Sequence, residues 1–102
     1  MELKNEQFNI LRKISEDSKV TQRQIARDLG YSLGKVNYCL EALKKKGLIK
    51  ILNFKKNKSK KNYFYYLTPN GFTQKTKNTL RFMKQKMKEY DELQKELENF
   101  KK

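Results

Sequence analysis

Apolar residues change their spacing twice along this chain, and each change predicts a different kind of structure. Up to residue 46 they recur every three or four positions, as on one face of a helix. Residues 48–54 and 63–67 are rich in β-branched and aromatic side chains, which predicts two strands. A helical spacing returns after Pro69 and continues to about Lys101. The pattern predicts a mainly α-helical fold with one small β-hairpin.

A first helix is predicted from Asn5, as its N-terminal cap, to about Glu16. It would pack with the two helices that follow it into a compact trihelical core. The apolar residues that share its inner face are Leu3, Ile10, Leu11 and Ile14, with Phe8 at the edge.

The stretch from Thr21 to Lys46 predicts two short helices joined by a tight turn. Thr21 and Gln24 have the spacing of a capping box at the start of the first of them. Gly30 supplies the left-handed residue that ends this helix, and Ser32 caps the next one. The arrangement is typical of a helix-turn-helix, although a helical pair inside a small core would give the same pattern.

The second helix of this pair has one apolar and one polar face when residues are placed about 100° apart. We expect the apolar face to be buried and the polar face to meet a partner. The apolar face consists of Leu33, Val36, Cys39, Leu40 and Leu43. The polar face consists of Gly34, Tyr38, Glu41 and Lys45, flanked by Lys35, Asn37 and Ala42.

Basic residues are concentrated behind this helix. The chain has 25 Lys and Arg against 11 Asp and Glu, a formal net charge of +14. Residues 32–62 alone hold ten basic side chains against one acidic, and residues 63–88 add six with no acidic one. The codon bias of an AT-rich genome enriches lysine, but it would not concentrate it in this way. The charge indicates a polyanionic partner, either nucleic acid or an anionic membrane surface.

A lysine-rich segment, KKNKSKKN at 55–62, separates the two predicted strands. Its length predicts a hairpin loop longer than the tightest ones. A lysine run is ordinarily a solvated loop. Because this one directly follows a helix-turn-helix, we interpret the hairpin as a wing whose basic tip contacts the DNA backbone or minor groove. The wing lysines in question are Lys55, Lys56, Lys58, Lys60 and Lys61.

The C-terminal region predicts one long helix, capped by Thr68, with Pro69 in its first turn. At about 1.5 Å per residue it would be nearly 50 Å long, too long to be buried against a domain of this size. A second copy of the chain is the simplest partner for its far half, in a parallel or an antiparallel pair, and a frayed, solvated tail is the alternative. The predicted dimerisation residues are Leu80, Met83, Met87, Tyr90, Leu93, Leu97 and Phe100.

Several classes of function find no support in the composition. The chain has no histidine and one cysteine, Cys39, so it cannot form an internal disulfide or a zinc site from Cys and His ligands. No apolar run approaches the ~18–20 residues of a membrane span, and the N-terminus has no hydrophobic signal region. No glycine-rich phosphate loop or convincing carboxylate pair indicates an enzyme. We expect a cytoplasmic, nucleoid-associated protein with a buried, reduced Cys39, no cofactor and no membrane partner.

The helix-turn-helix, the basic wing and the LTPNG segment at 67–71 resemble the MarR-type winged-helix transcriptional regulators. The sequences SLGKVNYCLEALKKKGLIKILNF at 32–54 and YYLTPNGFTQKT at 65–76 look most like their short subgroup described as EPS-associated regulators. That subgroup takes its name from its occurrence with exopolysaccharide biosynthesis genes. The resemblance covers about residues 8–97.

The resemblance implies a dimeric transcription factor that binds double-stranded DNA. It implies a winged helix-turn-helix domain over residues 1–71 and a C-terminal dimerisation helix over residues 72–102. Typical members have a longer N-terminal helical region and often a ligand crevice, so a small-molecule effector is doubtful here. Such wings often insert an arginine into the minor groove, whereas this wing has only lysines, which favours phosphate contact.

The helix 32–46 would then dock in the major groove, where Lys can address guanine acceptors and Asn can address adenine. Gly34 would let the backbone come close, and Gln22 and Arg23 would hold phosphates at the start of the preceding helix. The remaining contact candidates are Ser32, Lys35, Asn37, Tyr38 and Lys45.

Two other classes of function remain open. A non-specific nucleoid-associated or RNA-binding protein could use the same basic wing, with aromatic residues of the second strand stacking on bases. A protein-interaction adaptor could use the C-terminal helix, but its lysine-dense wing would then have no purpose.

Overall fold

The fold is mainly α-helical with one small β-hairpin, which confirms the predicted class. The computed structural model describes residues 2–57 and 60–101, with side chains for residues 2–52 and 63–101. Its elements in chain order are α1 (Asn5–Glu16), α2 (Gln22–Leu29), α3 (Leu33–Lys45), β1 (Ile49–Asn57), β2 (Lys60–Leu67) and α4 (Pro69–Lys101).

The caps of α2 and α3 fix the turn between them. The Thr21 hydroxyl accepts a hydrogen bond from the Gln24 N–H at 3.1 Å, and the Thr21 N–H donates to the Gln24 side chain at 2.9 Å. Gly30 ends α2 with a φ of 72°, in the left-handed region that favours glycine. The Ser32 hydroxyl then accepts from the Lys35 N–H at 3.1 Å. The predicted helix-turn-helix is confirmed at each of these positions.

The start of α1 differs from the prediction by one residue. Asn5 is the first helical residue, and Lys4, in extended backbone, precedes it as the N-cap. The Lys4 N–H donates to the Gln7 side chain at 3.3 Å. A long amide side chain in the first turn therefore accepts from the backbone N–H of the N-cap, whereas the predicted Asn5 side chain would have accepted from an N–H group within the first turn.

The core lies where α1, α2 and α3 meet the start of the hairpin. Its fully buried members include Ile10, Leu11, Ile25, Val36, Leu40, Leu43, Leu48 and Tyr65. Leu33, predicted to be buried, is 45% exposed. It lies about 60° around the helix from Val36, at the edge of the apolar face, where the core covers a side chain only in part. Periodicity alone does not distinguish this edge position from a buried one.

The hairpin is longer than predicted. Ile49 pairs with Leu67 and Ile51 with Tyr65 in an antiparallel register that continues to Asn57 and Lys60, with an irregularity between Lys55 and Asn57. The polar segment interpreted as an eight-residue loop is therefore mostly strand. Backbone pairing requires no apolar side chain, so the ladder extends beyond the residues that mark it in the sequence.

Helix α4 begins where predicted and packs its first half on the rest of the fold. The Thr68 hydroxyl accepts from the Gly71 N–H at 3.0 Å and donates to the Gly47 carbonyl at 2.6 Å. Further along, the Phe82 and Phe8 rings lie 6.0 Å apart between centroids. The helix has 33 residues and runs without a break through the predicted domain division at residue 71.

A polar clamp ties the N-terminal segment to α4. Asn78 is 2% exposed, and its side-chain oxygen accepts from the Leu3 N–H at 3.3 Å and from the Arg81 guanidinium at 2.5 Å. Arg81 also pairs with the Glu2 carboxylate at 2.9 Å. The first half of α4 is thereby held in a fixed position against α1.

Candidate nucleic-acid interface

One face of α3 is packed on the core and the opposite face is open. Val36, Cys39, Leu40 and Leu43 are buried, and the predicted contact residues lie outside this buried face. Tyr38 is 72% exposed. All the predicted contacts on this helix are exposed: Ser32, Gly34, Lys35, Asn37, Tyr38 and Lys45.

Lys35 has two partners at the edge of this face. Its ammonium lies 3.5 Å from the Glu6 carboxylate of α1 and 4.8 Å from the centre of the Tyr31 ring. The Tyr31 hydroxyl in turn accepts from the Asn9 amide at 3.1 Å. Lys35 is thus directed toward the α1 side of the interface, and a DNA contact would have to replace its ion pair with Glu6.

Glu6 is the residue of this region that sequence reasoning missed. It places a carboxylate at the rim of a face predicted to bind a polyanion. No sequence spacing links it to Lys35, because α1 and α3 meet only through tertiary packing. Its position makes it a natural modulator of any anion contact that Lys35 makes.

The start of α2 presents one exposed and one half-buried side chain. Arg23 is exposed, as a phosphate contact requires. Gln22 is half-buried, and its amide donates to the Tyr65 hydroxyl at 3.4 Å. Burial raises the pKa of Tyr65, and the hydrogen bond from Gln22 lowers it in part. The Gln22 side chain therefore couples α2 to strand β2.

Of the wing lysines, only backbone positions are described. Lys55 and Lys56 lie on β1, Lys60 and Lys61 lie on β2, and Lys55 pairs with Lys61 across the hairpin. Lys58 lies outside the described residues. Their side-chain contacts to DNA stay a prediction.

Cys39 lies on the inner face of α3 and is 5% exposed. Burial raises the pKa of its thiol, and the Glu6 carboxylate raises it further. Such a thiol stays protonated near neutral pH and acts as a small apolar side chain. The predicted buried, reduced thiol fits this position.

The predicted dimerisation residues share one exposed stripe of α4. From Met83 to Lys101 every residue is exposed to solvent in the single chain. The helix carries this stripe beyond the core, in a molecule 69 Å along its longest axis. No helix in the described part of the chain is long and apolar enough to span a bilayer.

Comparison with known proteins gives the same fold. Residues 7–50 match the family described as winged helix-turn-helix DNA-binding. Staphylococcus aureus MarR, solved in complex with salicylate and kanamycin, is 24% identical with a TM-score of 0.69, over 88% of this chain and 59% of that one. Lactococcus lactis ZitR, described as a zinc-responsive MarR family member, is 24% identical with a TM-score of 0.70, over 91% and 62%.

A third solved structure, the adhesin competence repressor AdcR of Streptococcus pyogenes, is 19% identical with a TM-score of 0.71, over 93% of this chain and 68% of that one. The chain spans about three fifths of the length of the first three solved proteins it matches. The comparison with curated proteins gives no match. Residues 7–50 are therefore similar to winged helix-turn-helix DNA-binding domains, and the chain shares its fold with the solved MarR-family proteins.

Proposed function

We propose that this protein is a transcriptional regulator that binds double-stranded DNA sequence-specifically as a homodimer. The observation that carries the proposal is the open polar face of α3. It follows a capped α2 and a glycine turn, and it is packed on the core only through its opposite side. The match of residues 7–50 to winged helix-turn-helix DNA-binding domains supports the same assignment.

In the proposed complex, the N-terminal half of α3 enters the major groove. Asn37 and Tyr38 reach base edges, and Lys35 reaches a guanine or an adjacent phosphate. Arg23 and the backbone N–H groups at the start of α2 hold phosphates. The wing lysines add affinity that does not depend on sequence and that salt removes.

The test compares a duplex from upstream of the protein's own operon with a scrambled duplex across a salt series. We expect a preference of ~10³-fold or more that persists at physiological salt. Equal binding to both that falls steeply with salt would instead indicate a nucleoid-type or RNA-binding protein. In that case the exposed Tyr63 and Tyr66 of the hairpin are the candidates for base stacking.

Alanine variants of the α3 face assign the contacts. Tyr38→Ala should weaken binding to the preferred duplex by about 10-fold or more and leave binding to the scrambled duplex nearly unchanged, since base contacts carry specificity. Glu41→Ala, on the same exposed face but outside the predicted contacts, is the matched control for fold. Equal losses on both duplexes would contradict the role of Tyr38 in base recognition.

We further propose that the regulated genes include exopolysaccharide biosynthesis genes. The support is the resemblance of residues 32–54 and 65–76 to the EPS-associated subgroup. Deleting the gene should change the yield of extracellular polysaccharide, and the purified protein should bind upstream of the polysaccharide genes. Unchanged yield together with absent binding would remove this target.

A further inference from the structure

From Leu80 onward, α4 presents an apolar surface that the described part of the chain does not cover. Seven side chains on it are each 54–87% exposed: Leu80, Met83, Met87, Tyr90, Leu93, Leu97 and Phe100. We call this set the α4 stripe. At about 100 Å² each, these side chains present on the order of 700 Å², close to the ~800 Å² that each partner buries in a standard interface.

Charge along α4 is divided between its two halves. Residues 69–88 contain six basic side chains and no acidic one, whereas residues 89–101 contain five acidic and two basic ones. A parallel pair of α4 helices would place the basic halves side by side. In an antiparallel pair, each basic half lies along the acidic half of the other helix, so opposite charges attract at both ends of the pair. Charge complementarity therefore selects an antiparallel second copy.

We propose that a second copy of this chain packs antiparallel along the α4 stripe, with the two-fold axis between Lys88 and Glu89. The proposal rests on the homodimer of the proposed function and specifies its arrangement. A seam with the alternating spacing of four and three that two paired helices require runs along this surface through Thr76, Leu80, Met83, Met87, Tyr90, Gln94 and Leu97. Leu93 and Phe100 of the stripe lie beside this seam. In this register Leu80 faces the partner's Leu97, and Met87 faces the partner's Tyr90.

The same register pairs the charges that flank the seam. Lys84 lies beside the partner's Asp91, and Lys77 lies beside the partner's Glu98, each pair occurring twice by symmetry. These four side chains occupy equivalent positions along one edge of the stripe, the positions that commonly set orientation in paired helices. Opposite charges thus meet all along one edge of the seam, without any adjustment of the apolar contacts.

The arrangement also sets the separation of the two DNA-binding units. Each winged-helix unit packs on α4 between Gly71 and Phe82. The midpoint of that segment is about 12 residues from the proposed axis, or ~18 Å along the helix. The two packing segments would therefore lie ~36 Å apart along the paired helices, a length comparable to one turn of B-DNA, about 34–36 Å.

Disulfide cross-linking of single-cysteine positions distinguishes the arrangements. Leu80→Cys and Leu97→Cys are prepared separately and oxidised alone or mixed, with the native chain and its buried Cys39 as the control. We expect a cross-linked dimer only in the mixture, because each position faces the other and lies ~25 Å from its own copy. Cross-linking of either variant alone, and not of the mixture, would establish a parallel pair and overturn the proposal.

A charge reversal tests the register in the absence of DNA. Lys84→Glu should raise the dimer dissociation constant about 10-fold in analytical ultracentrifugation at low salt, because it faces the partner's Asp91. Adding Asp91→Lys to this variant should restore the dissociation constant of the native dimer. Glu92→Lys reverses a charge on the opposite face of α4 and should have little effect. Equal effects of Lys84→Glu and Glu92→Lys, or a chain that is monomeric in every form, would overturn the proposal.

These measurements do not depend on DNA binding. An antiparallel dimer that binds no duplex would leave the arrangement standing and refute the proposed function. A monomer that binds its operator specifically would refute the antiparallel pair and support sequence-specific DNA binding.

Discussion

The ion pair between Glu6 and Lys35 leads to a prediction about DNA affinity. In the free protein the Lys35 ammonium lies 3.5 Å from the Glu6 carboxylate. If Lys35 contacts DNA, this pair must break or weaken when the duplex binds. Glu6→Gln removes the competing charge but keeps the shape of the side chain, so we expect the variant to bind DNA more tightly than the native protein.

The size of the effect follows from the exposure of the pair. The Lys35 and Glu6 side chains are 44% and 37% exposed, so solvent screens their attraction. Pairs of this kind contribute about 0.5 kcal/mol, which corresponds to roughly twofold in affinity. Removing the repulsion between Glu6 and nearby phosphates adds a comparable factor at low salt. We therefore expect a gain of about 2–5-fold that shrinks as salt is raised.

Fluorescence anisotropy with a labelled operator duplex measures this gain. Glu92→Gln, the same change on the far half of α4, is the control and should leave affinity unchanged. Lys35→Ala should then cost more affinity in the Glu6→Gln background than in the native chain, provided that Lys35 is the group released. An affinity of Glu6→Gln that is unchanged or lower, while Lys35→Ala weakens binding, would contradict release of Lys35 from Glu6.

Three further predictions concern single positions. A methyl group at Gly34 would meet no atom within 4 Å, so Gly34→Ala should stabilise the fold by about 0.5 kcal/mol. If the backbone approaches DNA at this residue, the same variant should bind the operator about 10-fold more weakly, and unchanged binding would contradict that approach. A methyl group at Gly71 would overlap the Leu48 carbonyl oxygen, so Gly71→Ala should lower the free energy of unfolding by about 1–3 kcal/mol. An unchanged midpoint of urea unfolding would be inconsistent with this packing. Burial raises the pKa of Cys39 above its ordinary value of 9.0, so its contribution to stability is full below pH ~9 and declines at higher pH. Cys39→Ala should therefore reduce the loss of stability above pH ~9, and identical pH profiles of the two proteins would refute this.

Local chemistry explains why much of the fold could be predicted. The capping box at Thr21, the left-handed Gly30 and the Ser32 cap each act within a few residues, so the sequence alone indicates the turn. The start of α4 at Thr68 and Pro69 is equally local. The exposed face of α3 followed from the same helical periodicity.

Features built from residues far apart in the chain could not be predicted. The clamp joins Leu3 to Asn78, 75 positions away, and no pattern in the sequence relates them. The ion pair between Glu6 and Lys35 depends on how α1 packs against α3. The length of the hairpin was underestimated because backbone pairing continues where the side-chain pattern stops. Tertiary packing, and not local propensity, decides each of these features.

Selection of binding sites from random duplex DNA tests whether two copies of the chain recognise a specific sequence. We expect enrichment of a two-fold symmetric motif bound by two copies of the chain, with half-sites centred about one helical turn apart. Recovery of no motif, with all duplexes bound equally and released together as salt rises, would contradict a sequence-specific dimeric regulator.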